Sequence, residues 1–386
     1  MICVGLDWGR DSHTYAIAAP GGELLGEGVV ENKTWRFENW AREVELHGAD
    51  VRLVLESGNG LATPVEAFAS TRGWEVARVT AAAVKTYREH IMGDNNKSDT
   101  IDARAIAFLG ASSKTHATRS KDRLALRAAT RDRDKLSKEK TRISNRLRQA
   151  IAEIMPEFTT EVFPTLDRSS ILHLLIHHPD PLDWVRLDVA GIQLLLTAAK
   201  IRSRQSYIVK LVQLASQFCD VLQPGDKSVC LTRIRMLARR LKNCMDEHAE
   251  VVEFIEVLAS GDADVQLLTS IAGAGLVTSA AIVAEIQDIK DFANESKLAS
   301  FVGVALKKHQ SGKTEYWAPQ VRSNRRLKRY FMHLAMQHAA LDVRSSAYYQ
   351  KKLAEGKRPL QARRALARQL VRVVYKMLKT SQPFKG

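Results

Sequence analysis

Four carboxylates in the first third of the chain have the residue type and setting for metal-dependent phosphoryl transfer: Asp7, Glu56, Asp99 and Asp102. Asp7 follows the apolar run at residues 2–6, in Ile-Cys-Val-Gly-Leu-Asp-Trp-Gly, and Glu56 holds the corresponding place after the apolar run at 51–55. If these runs are neighbouring strands of one sheet, the two acids converge at one edge. Asp99 and Asp102 open a helix within Asn-Lys-Ser-Asp-Thr-Ile-Asp-Ala-Arg at 96–104, and their i, i+3 spacing puts both on one face. Each acid also has an ordinary structural reading, as a polar strand end or as a residue favoured by the helix cap and dipole, with Ser98 or Asp99 as the cap. Capping needs only one of them. Four gathered carboxylates repel unless cations neutralise them, and hard oxygen ligands select Mg²⁺ or Mn²⁺. Two such ions can activate a nucleophile and stabilise the leaving oxygen of a phosphodiester.

The elements that must position these acids form an α/β segment. Residues 2–6, 14–18 and 24–30 read as three strands, with a Gly-Gly pair at 21–22 turning between the last two. A helix is expected at 34–47, a strand at 51–55, a helix at 61–70 and a strand at 74–79, which together make a mixed sheet flanked by helices. From about Arg119 the pattern becomes long helices. Leu136, Ile143, Leu147, Ile151 and Ile154 share one face, and Ile234, Leu237, Leu241, Met245, Val252 and Ile255 repeat the spacing, as an antiparallel coiled coil would. A third region, from near Val265, reads as mostly helical to the end. We therefore expect three domains: 1–115, carrying the acids; 116–262, a helical coiled-coil region; and 263–386, with basic helices.

The charge is divided unevenly. The net formal charge is +15; residues 1–114 carry 12 Lys and Arg against 16 Asp and Glu, whereas residues 301–386 carry 20 against 3. Such a one-sided excess points to a polyanionic partner, DNA or RNA, ahead of an anionic membrane surface. In the last helix Arg364, Arg368, Arg372 and Lys376 recur at i, i+4, opposite Leu366, Leu370, Val373 and Met377. That pattern suits either a solvated amphipathic helix or a phosphate-binding stripe. The four cysteines form no CxxC pair, so neither a zinc site nor a disulfide framework is expected. With no long apolar run and no charged leader, the reading is a soluble cytoplasmic protein without a membrane partner.

The Asp after the first strand, the Leu-Glu-Ser-Gly strand end at 55–58 and the Lys-Ser-Asp-Thr-Ile-Asp-Ala-Arg segment together resemble the Asp-Glu-Asp-Asp transposases of the IS-one-ten insertion-sequence family. The resemblance continues at 267–280, where Ala272 stands in place of the family's proline, in Phe292, Leu298, Phe301 and Gly303, and in Gln-Ser-Gly-Lys at 310–313. It departs at 320–329, where Ser323 takes the place of a glycine.

The resemblance implies an RNase H-like N-terminal domain similar to the Holliday-junction resolvase RuvC, with Asp7, Glu56, Asp99 and Asp102 as metal ligands. It implies Ser311, by itself a turn serine, as the nucleophile that joins covalently to cleaved DNA. It further implies a transposase or site-specific DNA recombinase guided by a bridge RNA, working as a dimer or tetramer in which acids and serine complete one centre, and bacterial and nucleoid-associated when active. Lys97, Arg104, Lys313, Arg322, Arg325 and Arg326 join the four cations of the last helix as expected nucleic-acid contacts. Two other readings stand beside it: a metal-dependent structure-specific nuclease in which water attacks, and a nucleic-acid scaffold without catalysis.

Overall fold

The structure, a computed structural model, describes residues 1–56, 62–93, 98–112, 121–156, 158, 164, 166–218, 223–311, 314–319 and 323–384. The chain divides into two compact units, Met1–Lys121 and Asp122–Gly386.

The first unit is built on a five-stranded sheet. Strands β1 (Ile2–Trp8), β2 (Ser12–Ala18) and β3 (Leu24–Glu31) form an antiparallel meander; after helix α1 (Phe37–Glu45), strand β4 (Val51–Glu56) returns parallel to β1. Helix α2 (Thr63–Thr71) leads to β5 (Glu75–Val79), parallel to β4, and α3 (Ala81–His90) and α4 (Asp99–Ala111) follow. The strand order is β3-β2-β1-β4-β5, the mixed sheet expected from sequence. Period-two alternation sorts the strand residues between the faces. Ile2, Val4, Leu6, Val51, Leu53 and Leu55 pack with Phe37, Trp40, Val44, Val65 and Trp74 on the side of α1 and α2. The opposite face is covered by α4, where Val54 and Val79 meet Ala105, Ile106 and Leu109.

The second unit is largely helical: α5 (Lys121–Ala152), α6 (Ser169–His177), α7 (Pro181–Ala198), α8 (Gln205–Ser216) and α9 (Pro224–Ser260), then α10 (Ala263–Thr269), α11 (Leu276–Ile286) and α12 (Glu295–Val302). A hairpin, β6 (Leu306–Ser311) and β7 (Thr314–Pro319), precedes α13 (Arg325–Leu341), α14 (Val343–Ala354) and α15 (Pro359–Thr380). Helices α5 and α9 run antiparallel, for Glu139 meets Arg240 at 3.9 Å, Ser137 meets His248 at 3.1 Å, and Glu153 further along α5 pairs with Arg233 near the start of α9. Ile143, Leu147 and Ile151 pack against Ile234, Leu237 and Leu241, and α6 to α8 add Leu174, Trp184, Ile192 and Leu211 to that core. A second core forms around α11, α13 and α15 and takes in Leu126 and Ile255 from the far ends of the long helices.

The hairpin is the one strand pair, among the described residues, inside a stretch expected to be mostly helical. Ser311 closes β6 opposite Thr314. Gly303, at φ +82°, ends α12 in the left-handed conformation that glycine adopts without strain, and a Cβ there would lie 2.4 Å from the Ser323 hydroxyl. The serine that replaces the family's glycine at 323 is thus packed against another glycine.

Candidate active site and nucleic-acid interface

The register between β1 and β4 pairs Ile2 with Val51 through to Leu6 with Leu55, so one further step sets Asp7 beside Glu56 at the carboxyl ends of adjacent parallel strands. Both strands present these acids on the face covered by α4. A Cβ on Gly5, two residues before Asp7, would lie 2.1 Å from the Ala107 nitrogen and 2.4 Å from the Ala103 carbonyl; one on Gly110 would lie 2.4 Å from Val54, two residues before Glu56, and 3.5 Å from the Cys3 Cβ. Helix α4 therefore runs antiparallel to β1, with Cys3 under Gly110 and Gly5 under Ala103 and Ala107. Two strand residues span about 6.6 Å, which four to five helical residues match at about 1.5 Å each, so Asp7 falls under the first turn of α4. That turn carries Asp99 and Asp102. The four acids thus occupy one edge, where the strand order reverses between β1 and β4, the usual place for a site in an open α/β sheet.

Ser98 supplies the helix cap, its hydroxyl accepting from Ile101 N at 3.2 Å. Asp99 is left exposed at the surface, and Asp7 and Glu56 are half-buried with neighbours of their own. Asp102 is different: it is buried and paired with Arg88 of α3, itself buried, the two side chains being 8% and 10% exposed. The backbone thus brings the acids to one edge without drawing them into a cage: among the described residues no three His, Cys, Asp or Glu side chains are gathered as a metal centre. The donor set nevertheless fits a hard divalent cation, being all carboxylate oxygen, and Asp102 already needs a cationic partner in its buried position. Sequence reasoning missed Arg88, an unremarkable cation on a helix face until α3 packs on α4.

Of the expected nucleic-acid contacts, Lys97, Lys313 and Arg322 lie outside the described residues. Arg104 is clasped by Glu27, at 2.6 and 2.7 Å. Arg326 turns inward to Asp134 at 2.6 Å and Glu285 at 2.7 Å, which places its guanidinium inside an ion network rather than on a phosphate-facing surface; Arg325 is exposed. Arg364, Arg368 and Arg372 line one cavity of about 750 Å³ between α12, α14 and α15, together with Tyr348, Lys352 and Lys357. Lys376 is exposed further along α15. Positive charge near this cavity is only partly compensated: Arg372 meets Glu295 at 2.8 Å, and Lys352 and Lys357 share Glu355. Burial and the neighbouring Arg364 push the Lys328 amine below its ordinary value. Lys352, Lys357 and Tyr348 were not found from sequence, because α14 reaches this cavity only through the packing of α14 on α15.

The Gly-Ala-Gly turn at 273–275 is accounted for by packing. Gly273, at φ +86°, has Gln337 and the His338 nitrogen of α13 where a Cβ would stand, and the His338 Nδ1 lies 2.8 Å from the Ala272 carbonyl. No helix among the described residues is long and apolar enough to cross a membrane.

Known proteins give this arrangement a context. Residues 4–156 match the transposase family of IS110-type Asp-Glu-Asp-Asp proteins, and residues 265–350 match the transposase IS116/IS110/IS902 family. The uncharacterized 44.8 kDa protein of insertion element IS116 from Streptomyces clavuligerus is 28% identical, over 99% of this chain and 96% of its own length. The uncharacterized 43.6 kDa protein of insertion element IS110 from Streptomyces coelicolor is 25% identical, over 98% of this chain and 94% of its own. Among solved structures, Thermus thermophilus RuvC is similar, at 19% identity and a TM-score of 0.26, covering 31% of this chain and 100% of RuvC. The two ends of this chain thus carry transposase domains of the IS110 and IS116/IS110/IS902 type, and proteins of insertion elements IS116 and IS110 align along nearly all of it.

Proposed function

We propose that this chain cleaves and rejoins DNA strands for an insertion sequence, with Asp7, Glu56, Asp99 and Asp102 as ligands of Mg²⁺ or Mn²⁺ and Ser311 as the nucleophile. The observation that carries the reading is the common edge: two parallel strands and an antiparallel helix bring four acids to one end of one sheet face. When bound, the divalent cation neutralises phosphate charge and favours an oxyanion nucleophile. Asp7 and Glu56 are fixed by strand register, whereas Asp102 is held by Arg88, which sets the direction of its carboxylate. Attack by the Ser311 Oγ forms an oxygen–phosphorus bond and breaks one backbone phosphorus–oxygen bond. The departing sugar oxygen takes up the proton. Attack by a second strand's hydroxyl on the serine phosphodiester then frees the serine and joins the strands.

The cavity lined by Arg364, Arg368 and Arg372 supports phosphate contacts that position nucleic acid without reading sequence. Sequence choice would then fall to a guide RNA, and the reaction to a homo-oligomer. A second reading, water as nucleophile in a structure-specific nuclease, is favoured by one observation: all four acids belong to a compact unit that does not contain Ser311. Denaturing electrophoresis with labelled element-end DNA and Mg²⁺ separates them. Serine attack gives a protein–DNA adduct that survives SDS and is lost in Ser311→Ala; hydrolysis gives cleavage without an adduct, undiminished in Ser311→Ala.

A further inference from the structure

The second unit contains a concentration of arginine that folding alone does not require. Glu285, at the end of α11, has no exposed side-chain surface and accepts from Arg131 at 2.8 Å, Arg326 at 2.7 Å, Arg127 at 3.2 Å and Asn324 at 2.8 Å. Asp134 of α5, 9% exposed, accepts from Arg326 at 2.6 Å, from Tyr330 at 2.7 Å and from Arg329, with Arg133 at 3.6 Å. Among the described residues this cluster sets five guanidiniums against two carboxylates. Two arginines would balance two buried acids, and surplus buried charge is costly. The surplus has spare donors: Arg127 Nε, Arg133 Nε and Arg326 Nη2 are buried without a hydrogen-bond partner. Arg131 and Arg329 reach solvent, their side chains 46% and 48% exposed. Burial, and then the Arg131 and Arg326 cations working against Glu285, hold the Arg127 guanidinium below its ordinary value.

We propose that Arg131 and Arg329, held in place by the Glu285 and Asp134 network, form a phosphate-binding surface that grips a phosphodiester of bound nucleic acid. The inference rests on the reading of this chain as a nucleic-acid enzyme, and it adds a contact distinct from the cavity on α15. A guanidinium fork matches two phosphate oxygens, and rigid anchoring lowers the cost of ordering the side chain on binding. The positive end of α13, capped by Asn324, adds to the attraction. Asn324 connects this surface to the chain that leaves the Ser311 hairpin, because its side chain both caps α13 and donates to Glu285.

Two experiments test this on the full-length protein. The first titrates wild type and an Arg131→Gln/Arg329→Gln double variant with labelled duplex DNA and, separately, single-stranded RNA across a range of salt. Loss of two phosphate contacts lowers the slope of log affinity against log salt by about two for duplex DNA and by somewhat less for single strands. The probe whose slope falls identifies the source of the phosphate; slopes unchanged from wild type for both probes, in a variant that melts like wild type, overturn the proposal. The second uses wild type alone, so folding of a variant is not at issue: phenylglyoxal modification of Arg131 and Arg329 is read by mass spectrometry with and without each probe. Protection of both by DNA or RNA supports the proposal, and unchanged modification with bound nucleic acid overturns it. Neither readout needs catalysis, so failure of wild type to cleave DNA would count against the enzyme reading while leaving this result separate.

Discussion

Replacing Glu285 by Gln removes one charge from an enclosed ion network in the second unit while keeping the side chain's shape. Burial by itself would raise this carboxyl, but the hydrogen bond from Arg131, the charge of Arg127 and the hydrogen bond from Asn324 outweigh it and hold the group at about 2, against an ordinary 4.5. That difference corresponds to about 3 kcal/mol of folded-state preference for the carboxylate, at about 1.4 kcal/mol per pH unit. The variant also leaves Arg127, Arg131 and Arg326 facing an amide that cannot neutralise them, which adds to the loss. For a unit of this size about 1 kcal/mol moves the melting temperature by roughly 2–4 °C, so Glu285→Gln should melt roughly 6–12 °C below wild type at neutral pH. The pH dependence has a definite sign. A carboxyl depressed in the folded state contributes fully above its unfolded value of 4.5, and its contribution fades as pH falls toward about 2. The gap between wild type and variant should therefore be constant from pH 5 upward and shrink below it. Calorimetry at a series of pH values measures both. A variant melting within about 2 °C of wild type at pH 7, or a gap that widens on acidification, would mean that the Glu285 carboxylate does not stabilise the folded unit.

Three other perturbations follow from the same structure. Gly5→Ala places a Cβ against the backbone of Ala103 and Ala107, where neither neighbour can yield, so it should destabilise the first unit by about 3 kcal/mol or more, read from the urea midpoint. Asp102→Asn should lower stability as well as cleavage, by about 3–5 kcal/mol, because it strands the buried Arg88; the double variant Arg88→Met/Asp102→Leu should recover most of the stability and none of the cleavage. Replacing Arg364 and Arg368 together by Gln should weaken duplex DNA binding and reduce its salt slope by about two, and an unchanged slope would remove the α15 cavity from the interface.

The first unit was legible in sequence because its strands alternate cleanly and end at turn residues. The expected strands at 2–6, 14–18, 24–30, 51–55 and 74–79 all occur, the first four extended by one or two residues and the last beginning one residue later. The antiparallel pairing of α5 and α9 was likewise written in their apolar spacing. The β6–β7 hairpin was not, because residues 306–319 mix Lys, His and Gln with aromatics and show no alternation that marks a strand. At the acidic edge, sequence supplied the residue types and topology supplied the convergence, through a strand register and a glycine contact that no local pattern encodes. Arg88 escaped notice because its partner Asp102 comes from another helix. The arginine network around Glu285 was equally hidden, since its members lie on α5, α11 and α13, and only Arg326 had been singled out, for a contact that its inward geometry does not favour.

On the proposed reading, the edge formed by β1, β4 and α4 binds metal for strand cleavage. This metal dependence is tested most directly by incubating full-length wild type and Asp7→Asn with labelled element-end DNA at increasing Mg²⁺, after melting curves have shown both to be folded. Wild type should cleave in a Mg²⁺-dependent manner, and Asp7→Asn should lose at least about 100-fold, the scale expected when transition-state charge stabilisation is removed, with DNA binding retained. Cleavage by folded Asp7→Asn at the wild-type rate would contradict that reading.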